Sequence, residues 1–274
     1  MADTQNPNSP HKLEAIILAA GKGTRMESDL PKVCHPVGGR PMVCAVVDVC
    51  LEAGCDRVVV VVGYKQELVR EALADYGDRV VYAVQEEQLG TGHAVTSAVD
   101  AYAETDNTNT DIFVLCGDGP LIRTSTLNTL LERHRSTGAA GTLATSRIDD
   151  PSGYGRIVRD QSGAFARIIE QKNASPDELM INEVNPSYYC VNAQSMFDAL
   201  GKVQRNELTG EYYITDIFEF MLDAGSRVEV IDAVPPEDIL SINTLAHLAQ
   251  VDALYQSRQQ SASDTSAATQ GNQS

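Results

Sequence analysis

What most constrains this chain is an alternation, across residues 13–115, between short apolar runs rich in β-branched residues and longer stretches of helical character. Strands are expected at 13–18, 57–62, 80–84 and 112–115, with helices at 41–53, 67–74 and 91 to about 103. The run Val58 to Val62 is apolar at every position, so both of its faces need cover, as in an interior strand of a parallel sheet. Parallel neighbours need crossover connections, which the helices supply. These runs fall far short of the ~20 residues that a membrane-spanning helix needs, so no membrane partner is expected.

Beyond residue 124 the alternation loosens. A helix to about 136 is followed by short strands near 141–145, 155–159, 165–170 and 188–191, which read as an inserted, partly antiparallel lobe. A helix near 214–222, a strand at 228–231 and a helix from 244 to about 255 complete the domain, expected to span 13–255. Residues 256–274 are almost all small and polar, and a disordered tail is expected there. Residues 1–12 hold Pro7 and Pro10 and lack the cationic start and apolar run of a secretory signal, so they read as a loose arm on a cytoplasmic protein.

The formal net charge of −17 argues against nucleic acid as a partner, because backbone phosphates demand a basic face. A small phosphorylated ligand remains compatible with such a chain if a local cationic pocket reverses the overall field. The six cysteines show no CxxC pairing, and His35 alone among the histidines lies near one of them in sequence, which disfavours zinc and suits buried thiols.

Directly after the first strand comes Leu18-Ala-Ala-Gly-Lys-Gly-Thr-Arg-Met26. Small residues there let the main chain approach a ligand with its N–H groups aimed at phosphate oxygens. The loop lacks the third glycine of a dinucleotide fingerprint and the GK[ST] ending of a P-loop, and Val62-Gly63-Tyr64 leaves no acid at the end of the second strand. An isolated arginine or lysine is ordinarily a surface charge. Beside this loop, Arg25 and the Pro31-Lys32 pair read instead as a triphosphate clamp.

Four further strings stand at or near strand ends. Gln85-Glu-Glu-Gln88-Leu-Gly90-Thr91-Gly-His-Ala94 offers amides that can test the donor and acceptor pattern of a base, although a polar loop with Thr91 capping the next helix would look alike. Cys116-Gly-Asp118-Gly-Pro-Leu121 puts a carboxylate at the carboxyl end of an apolar strand, where open α/β sheets bind ligands and where Mg²⁺ needs few protein oxygens. Gly153-Tyr-Gly155-Arg-Ile157 and Ile168-Ile-Glu170-Gln-Lys172 read, taken alone, as a hairpin with a charged edge.

Together these strings resemble the sugar nucleotidyltransferases, in particular the uridyltransferase domain of bifunctional N-acetylglucosamine-1-phosphate uridyltransferases. The resemblance runs from Leu13 to about Tyr255. It implies a Rossmann-like, mixed but mainly parallel sheet flanked by helices, with an inserted sugar-binding lobe. It further implies that Leu18, Ala19, Ala20, Gly21, Gln85, Gln88, Gly90 and Thr91 bind a uridine nucleotide and that Arg25 and Lys32 act on its phosphates. Asp118 and Asn243 would ligate Mg²⁺, while Gly155, Glu170, Lys172 and Asn185 would meet the sugar and its phosphate.

The implied reaction joins UTP to N-acetylglucosamine-1-phosphate. Rival readings are another pair, glucose-1-phosphate with UTP or dTTP, and a catalytically silent sugar-nucleotide sensor. Two departures bear on the choice: Pro186-Ser187 follows Asn185 where the family has Thr-Gly, and Cys116 stands where a tyrosine is usual. Nothing in the chain can form the hexapeptide β-helix that acetylates glucosamine-1-phosphate in the bifunctional proteins, so acetylation is expected from a separate acetyltransferase.

Overall fold

The computed structural model describes residues 11–271, and side chains as far as 261. Residues 1–10 of the expected arm and 272–274 of the expected tail lie outside the described residues. In chain order the strands are β1 (Lys12–Leu18), β2 (Pro36–Val37), β3 (Arg40–Pro41), β4 (Arg57–Val62), β5 (Val80–Val84), β6 (Thr110–Cys116), β7 (Gly141–Arg147), β8 (Gly155–Arg159), β9 (Phe165–Ile169), β10 (Glu183–Asn192) and β11 (Val228–Asp232). The α-helices are α1 (Met42–Glu52), α2 (Gln66–Ala72), α3 (Thr91–Thr96), α4 (Thr124–Thr137), α5 (Pro176–Leu179), α6 (Ala193–Leu200), α7 (Ile217–Asp223) and α8 (Leu245–Gly271).

The main sheet runs β11-β7-β10-β6-β1-β4-β5, with the β8-β9 hairpin attached through β10. Its β1-β4, β1-β6, β4-β5 and β7-β11 pairs are parallel, whereas β10 is antiparallel to β6 and β7. The sheet is therefore mixed and mainly parallel, with helices on both faces. Alternation along the strands builds two cores: Ala15, Ile17, Val58 and Val60 join α1, α4 and α8 on one face, while Ile16, Val59 and Val61 join α3, α6 and α7 on the other.

From β1 the chain proceeds to β4 and β5 on one side, then returns with β6 on the other. The order reverses between β1 and β6, so their carboxyl ends diverge into a crevice, the usual ligand position in open α/β sheets. Leu18 and Cys116 are register partners at its base. The glycine loop thus leaves one wall of the crevice, and Asp118 stands two residues up the other.

Several elements differ from expectation for local reasons. The helix from residue 91 stops at Thr96 and resumes as a 3₁₀ turn, Val99–Tyr102, because Thr96 and Ser97 hydroxyls donate back to the Gly92 and His93 carbonyls at 3.0 Å. Strand β10 begins at Glu183 and absorbs Pro186 through a bulge, its register with β7 shifting between Val184 and Tyr188. Helix α6 has no counterpart in the expected pattern; Asn192 caps it by accepting the Ser195 N–H at 3.1 Å.

The largest difference from expectation concerns residues 256–271. Helix α8 continues to Gly271, where a stop near 255 and a disordered tail were expected. Alanine, serine and glutamine tolerate helix, and Arg258 gives the turn beyond 255 a tertiary anchor by donating to the Leu121 carbonyl at 3.0 Å and pairing with Asp238. At the other end, His11 and Lys12 belong to the folded domain: Lys12 opens β1, and His11 Nε2 lies 2.9 Å from Asp111. No helix among the described residues is long and apolar enough to cross a membrane.

Candidate active site

Two cavities open along the crevice. One, of about 340 Å³, is lined by Leu18 to Gly21, by Lys32, and by Gln85, Gln88, Gly90 and Thr91. The other, of about 360 Å³, is lined by Arg25, Gly155, Glu170, Asn185 and Asn243. Cys116 and Asp118 line both.

The first cavity owes its shape to close main-chain approaches. Gly23 has φ +70°, and a Cβ there would lie 2.6 Å from the Lys32 Cβ, so only glycine lets the loop cross the lysine stem. At Gly90 (φ +104°) a Cβ would come within 2.5 Å of the Tyr212 carbonyl. Gln85 is buried, and its amide donates to the Gly90 carbonyl at 3.1 Å and faces His93 Nδ1 at 3.1 Å, which fixes the loop that carries Gln88. Thr91 does not cap α3: its hydroxyl accepts the Ile214 N–H at 3.1 Å, tying the loop to the segment after Glu211, which also lines this cavity.

Where the cavities meet, Lys32 Nζ contacts the Asp118 carboxylate and donates to Asn243 Oδ1 at 2.7 Å. Arg25 Nη2 donates to the same Asn243 oxygen at 2.9 Å. Residues separated by more than 200 positions thus converge on one point, helped by the Ile242 N–H donating to the Asp118 carbonyl at 3.2 Å. Two hard oxygens reaching a single ammonium form a donor set that fits Mg²⁺, which takes the rest of its shell from water and phosphate. Among the described residues no cluster of three or more His, Cys, Asp or Glu side chains offers a softer or denser site. Burial, and then Asp118, push the Cys116 thiol up to about 12.

Of the residues expected to meet a sugar, all but one line the second cavity. A Cβ at Gly155 would lie 3.1 Å from Ile168 and 3.6 Å from Glu170 Oε1, so the main chain there passes close to the carboxylate. Burial raises the Glu170 pKa, against the Thr215 hydroxyl that donates to it at 3.5 Å. Asn185 is buried: its amide donates to the Tyr189 hydroxyl at 2.7 Å, and its oxygen accepts the Ser187 N–H at 3.1 Å. Ser187 has φ +64°. The serine therefore holds the left-handed conformation at the position where the resemblance leads one to expect glycine, and so keeps a glycine-like backbone path. Lys172 is 69% exposed, 3.9 Å from Glu211, and lines neither cavity. A long lysine after the strand β9 reaches solvent more readily than the cavity.

Tyr154, Ser187, His247 and Gln250 also line the second cavity, and Glu211 the first. Tyr154 and Ser187 fall within strings already legible in the sequence, whereas His247 and Gln250 come from α8, whose wall position only tertiary packing reveals.

A switch-point crevice with a glycine loop on one wall, and cations and oxygens converging on the other, defines an α/β protein that handles nucleotide phosphates. Comparison with known proteins narrows the class. The chain belongs to the MobA-like NTP transferase domain family, matching it over residues 15–206. It is 44% identical over 246 residues to the bifunctional protein GlmU of Geobacter metallireducens, covering 90% of this chain and 51% of that one. It is 43% identical over 240 residues to GlmU of Desulfotalea psychrophila, covering 88% of this chain and 69% of that one. The chain thus spans about half the length of the first relative and about two thirds of the second. Apo UDP-glucose pyrophosphorylase shares the fold with a TM-score of 0.71 at 17% identity, over 90% of this chain and 99% of that one. A UDP-glucose pyrophosphorylase complexed with UDP-glucose gives 0.69 at 17% identity, over 90% of this chain and 99% of that one. The chain is accordingly placed among the nucleotidyltransferases.

Proposed function

We propose that the chain transfers UMP from UTP to N-acetylglucosamine-1-phosphate, releasing pyrophosphate and forming UDP-N-acetylglucosamine. The observation that carries this reading is the meeting of two cavities at Asp118, with Arg25 and Lys32 beside it. A nucleotide in the first cavity and a sugar phosphate in the second would bring their phosphates together at that junction. In the proposed step a phosphate oxygen of the sugar-1-phosphate attacks the α-phosphorus in line. The bond to the bridging oxygen breaks, and its electron pair leaves with pyrophosphate. The attacking oxygen is already ionised at neutral pH, so no general base is needed, and positioning with charge neutralisation does the catalysis.

In this scheme the loop main chain from Ala19 to Gly21 binds the nucleotide, Gln85 and Gln88 read the uracil edge, and Gly155, Glu170 and Asn185 hold the sugar. Lys32 would leave its contact with Asp118 for the phosphates, joining Arg25. Asp118 and Asn243 would hold Mg²⁺, which supplies neutralisation of triphosphate charge when bound. Similarity to the GlmU proteins over most of the chain supports the choice of substrates. Acetylation of the amino sugar falls to another activity in this reading.

One observation favours a second sugar: Pro186 and Ser187 stand in the sugar-side wall, where proline removes an N–H donor. A matrix of nucleoside triphosphates against hexose-1-phosphates, read by pyrophosphate release with and without EDTA, tests both readings. UTP with N-acetylglucosamine-1-phosphate is expected to turn over fastest, and only without chelator. Preference for glucose-1-phosphate would replace the sugar, and silence with every pair would overturn transferase activity.

A further inference from the structure

Asp118 and Asn243 are carried by different segments, and their spacing depends on what ties those segments together. Asp118 begins a turn that runs through Leu121 to Arg123 into α4, and Asn243 ends a stretch that begins near Asp238. The Asp238 side chain is fully buried, so its charge requires partners. Arg123 supplies one: Nη2 donates to Oδ1 at 3.0 Å, and Nε lies 2.5 Å from Oδ2 as a charge contact without hydrogen-bond alignment. Arg258, midway along α8, supplies the other. Its guanidinium is a fork, with Nη2 on Asp238 Oδ1 and Nη1 donating to the Leu121 carbonyl at 3.0 Å. One side chain therefore spans both segments.

The tie reaches the two oxygens through short, fixed paths. The Tyr188 hydroxyl donates to the Asp238 carbonyl at 3.1 Å and the Tyr154 hydroxyl to the Ile239 carbonyl at 3.0 Å, which pins the main chain leading to Asn243. The Ile242 N–H closes the loop on the Asp118 carbonyl at 3.2 Å. Arg258 itself stands on a helix anchored by buried Val251 and by Asp252, which accepts the Gly38 N–H at 2.7 Å. We propose that Arg258 is a positioning residue that sets the distance between Asp118 and Asn243, so that the start of the polar C-terminal segment is part of the active-site framework. The proposal rests on the reading of these two oxygens as the Mg²⁺ ligands.

Because Arg123 still neutralises Asp238, the variant Arg258→Met should fold, with a looser junction. The concentration of Mg²⁺ giving half-maximal pyrophosphate release is expected to rise roughly tenfold, the lower end of what loss of a ligand-orienting partner does, with kcat at saturating Mg²⁺ within about twofold of wild type. In the protein without metal or nucleotide, hydrogen exchange at the Ile242 amide should accelerate about tenfold, the factor expected from losing about one hydrogen bond of local stability. Arg258→Lys, a point charge that cannot fork to both acceptors, should fall between. Truncation after Ser257 should reproduce Arg258→Met, and truncation after Ser261 should match wild type.

Lower melting temperature and kcat with unchanged Mg²⁺ dependence and unchanged Ile242 exchange would overturn the positioning role. If Arg258→Met does not fold, Arg258→Lys and the two truncations carry the same comparison. Wild-type turnover that persists in EDTA would instead overturn the metal reading, whatever the exchange data show.

Discussion

At the residue scale, the positions where only one side chain fits are the most informative. Gly90 combines φ +104° with a Tyr212 carbonyl 2.5 Å from where a Cβ would sit, so even alanine forces the backbone off its path. Gly90→Ala should cost more than about 2 kcal/mol, measured by urea denaturation, since strain and collision add. It should also weaken UTP binding, because Gln85 is fastened to the Gly90 carbonyl. Lys32 is only 15% exposed and makes two polar contacts, so Lys32→Met removes a specific charge at the junction. A loss of roughly 100-fold in kcat with an unchanged melting profile is expected, the scale typical for one preorganised charge-stabilising group. A wild-type kcat would remove Lys32 from the phosphate clamp.

At the element scale, Asp111 on β6 shows how one carboxylate fastens three parts of the chain. His11 Nε2 approaches it at 2.9 Å, Arg135 Nε at 2.8 Å and His134 Nε2 at 3.3 Å, which joins the chain start and the end of α4 to the central sheet. Burial would raise the Asp111 pKa, but hydrogen bonds from His134, Arg135 and His11 reverse this and hold it at about 2. A depressed carboxylate favours the folded state above its unfolded pKa near 3.8, a contribution of about 2 kcal/mol that disappears as pH falls from about 4 through 2. Stability followed by denaturant titration over that window should fall less steeply for Asp111→Asn than for wild type. An identical slope would mean that the contacts carry no net energy.

The same scale separates what the residues announce from what they hide. Strands β1, β4, β5 and β6 are legible because each is an apolar run, and the glycine loop and the Gln85 to Thr91 string, which line one cavity, are legible because they follow such runs directly. Glu170 and Asn243 belong to the site through tertiary contacts that no local pattern encodes, so only resemblance to a family could nominate them. Strand β10 is obscured by Pro186, which breaks the expected ladder and is absorbed by the bulge. Helix α6 is short, and its cap at Asn192 is its main local mark. The extension of α8 escapes because Gln256 to Ser261 look too polar to be held, yet Arg258 is held by charge and a carbonyl.

At the scale of the whole molecule, a chain of net charge −17 is proposed to bind an anionic nucleotide, and the two facts act over different distances. Arg25 and Lys32 lie within hydrogen-bond reach of the junction, so ions in solution screen their attraction for phosphate weakly. The repelling carboxylates are spread over the surface, and most act from beyond a Debye length once that length has shrunk from ~30 Å at 0.01 M salt to ~8 Å at 0.15 M. Added salt should therefore remove more repulsion than attraction. With Mg²⁺ held in excess, the KM for UTP is expected to stay level or fall as ionic strength rises through this range, and the association rate to increase. An ordinary cationic phosphate site on a neutral or basic protein would show the opposite trend. A KM that climbs steeply with salt would mean that the clamp is exposed and screened, and that the acidic surface has no influence on how the nucleotide arrives.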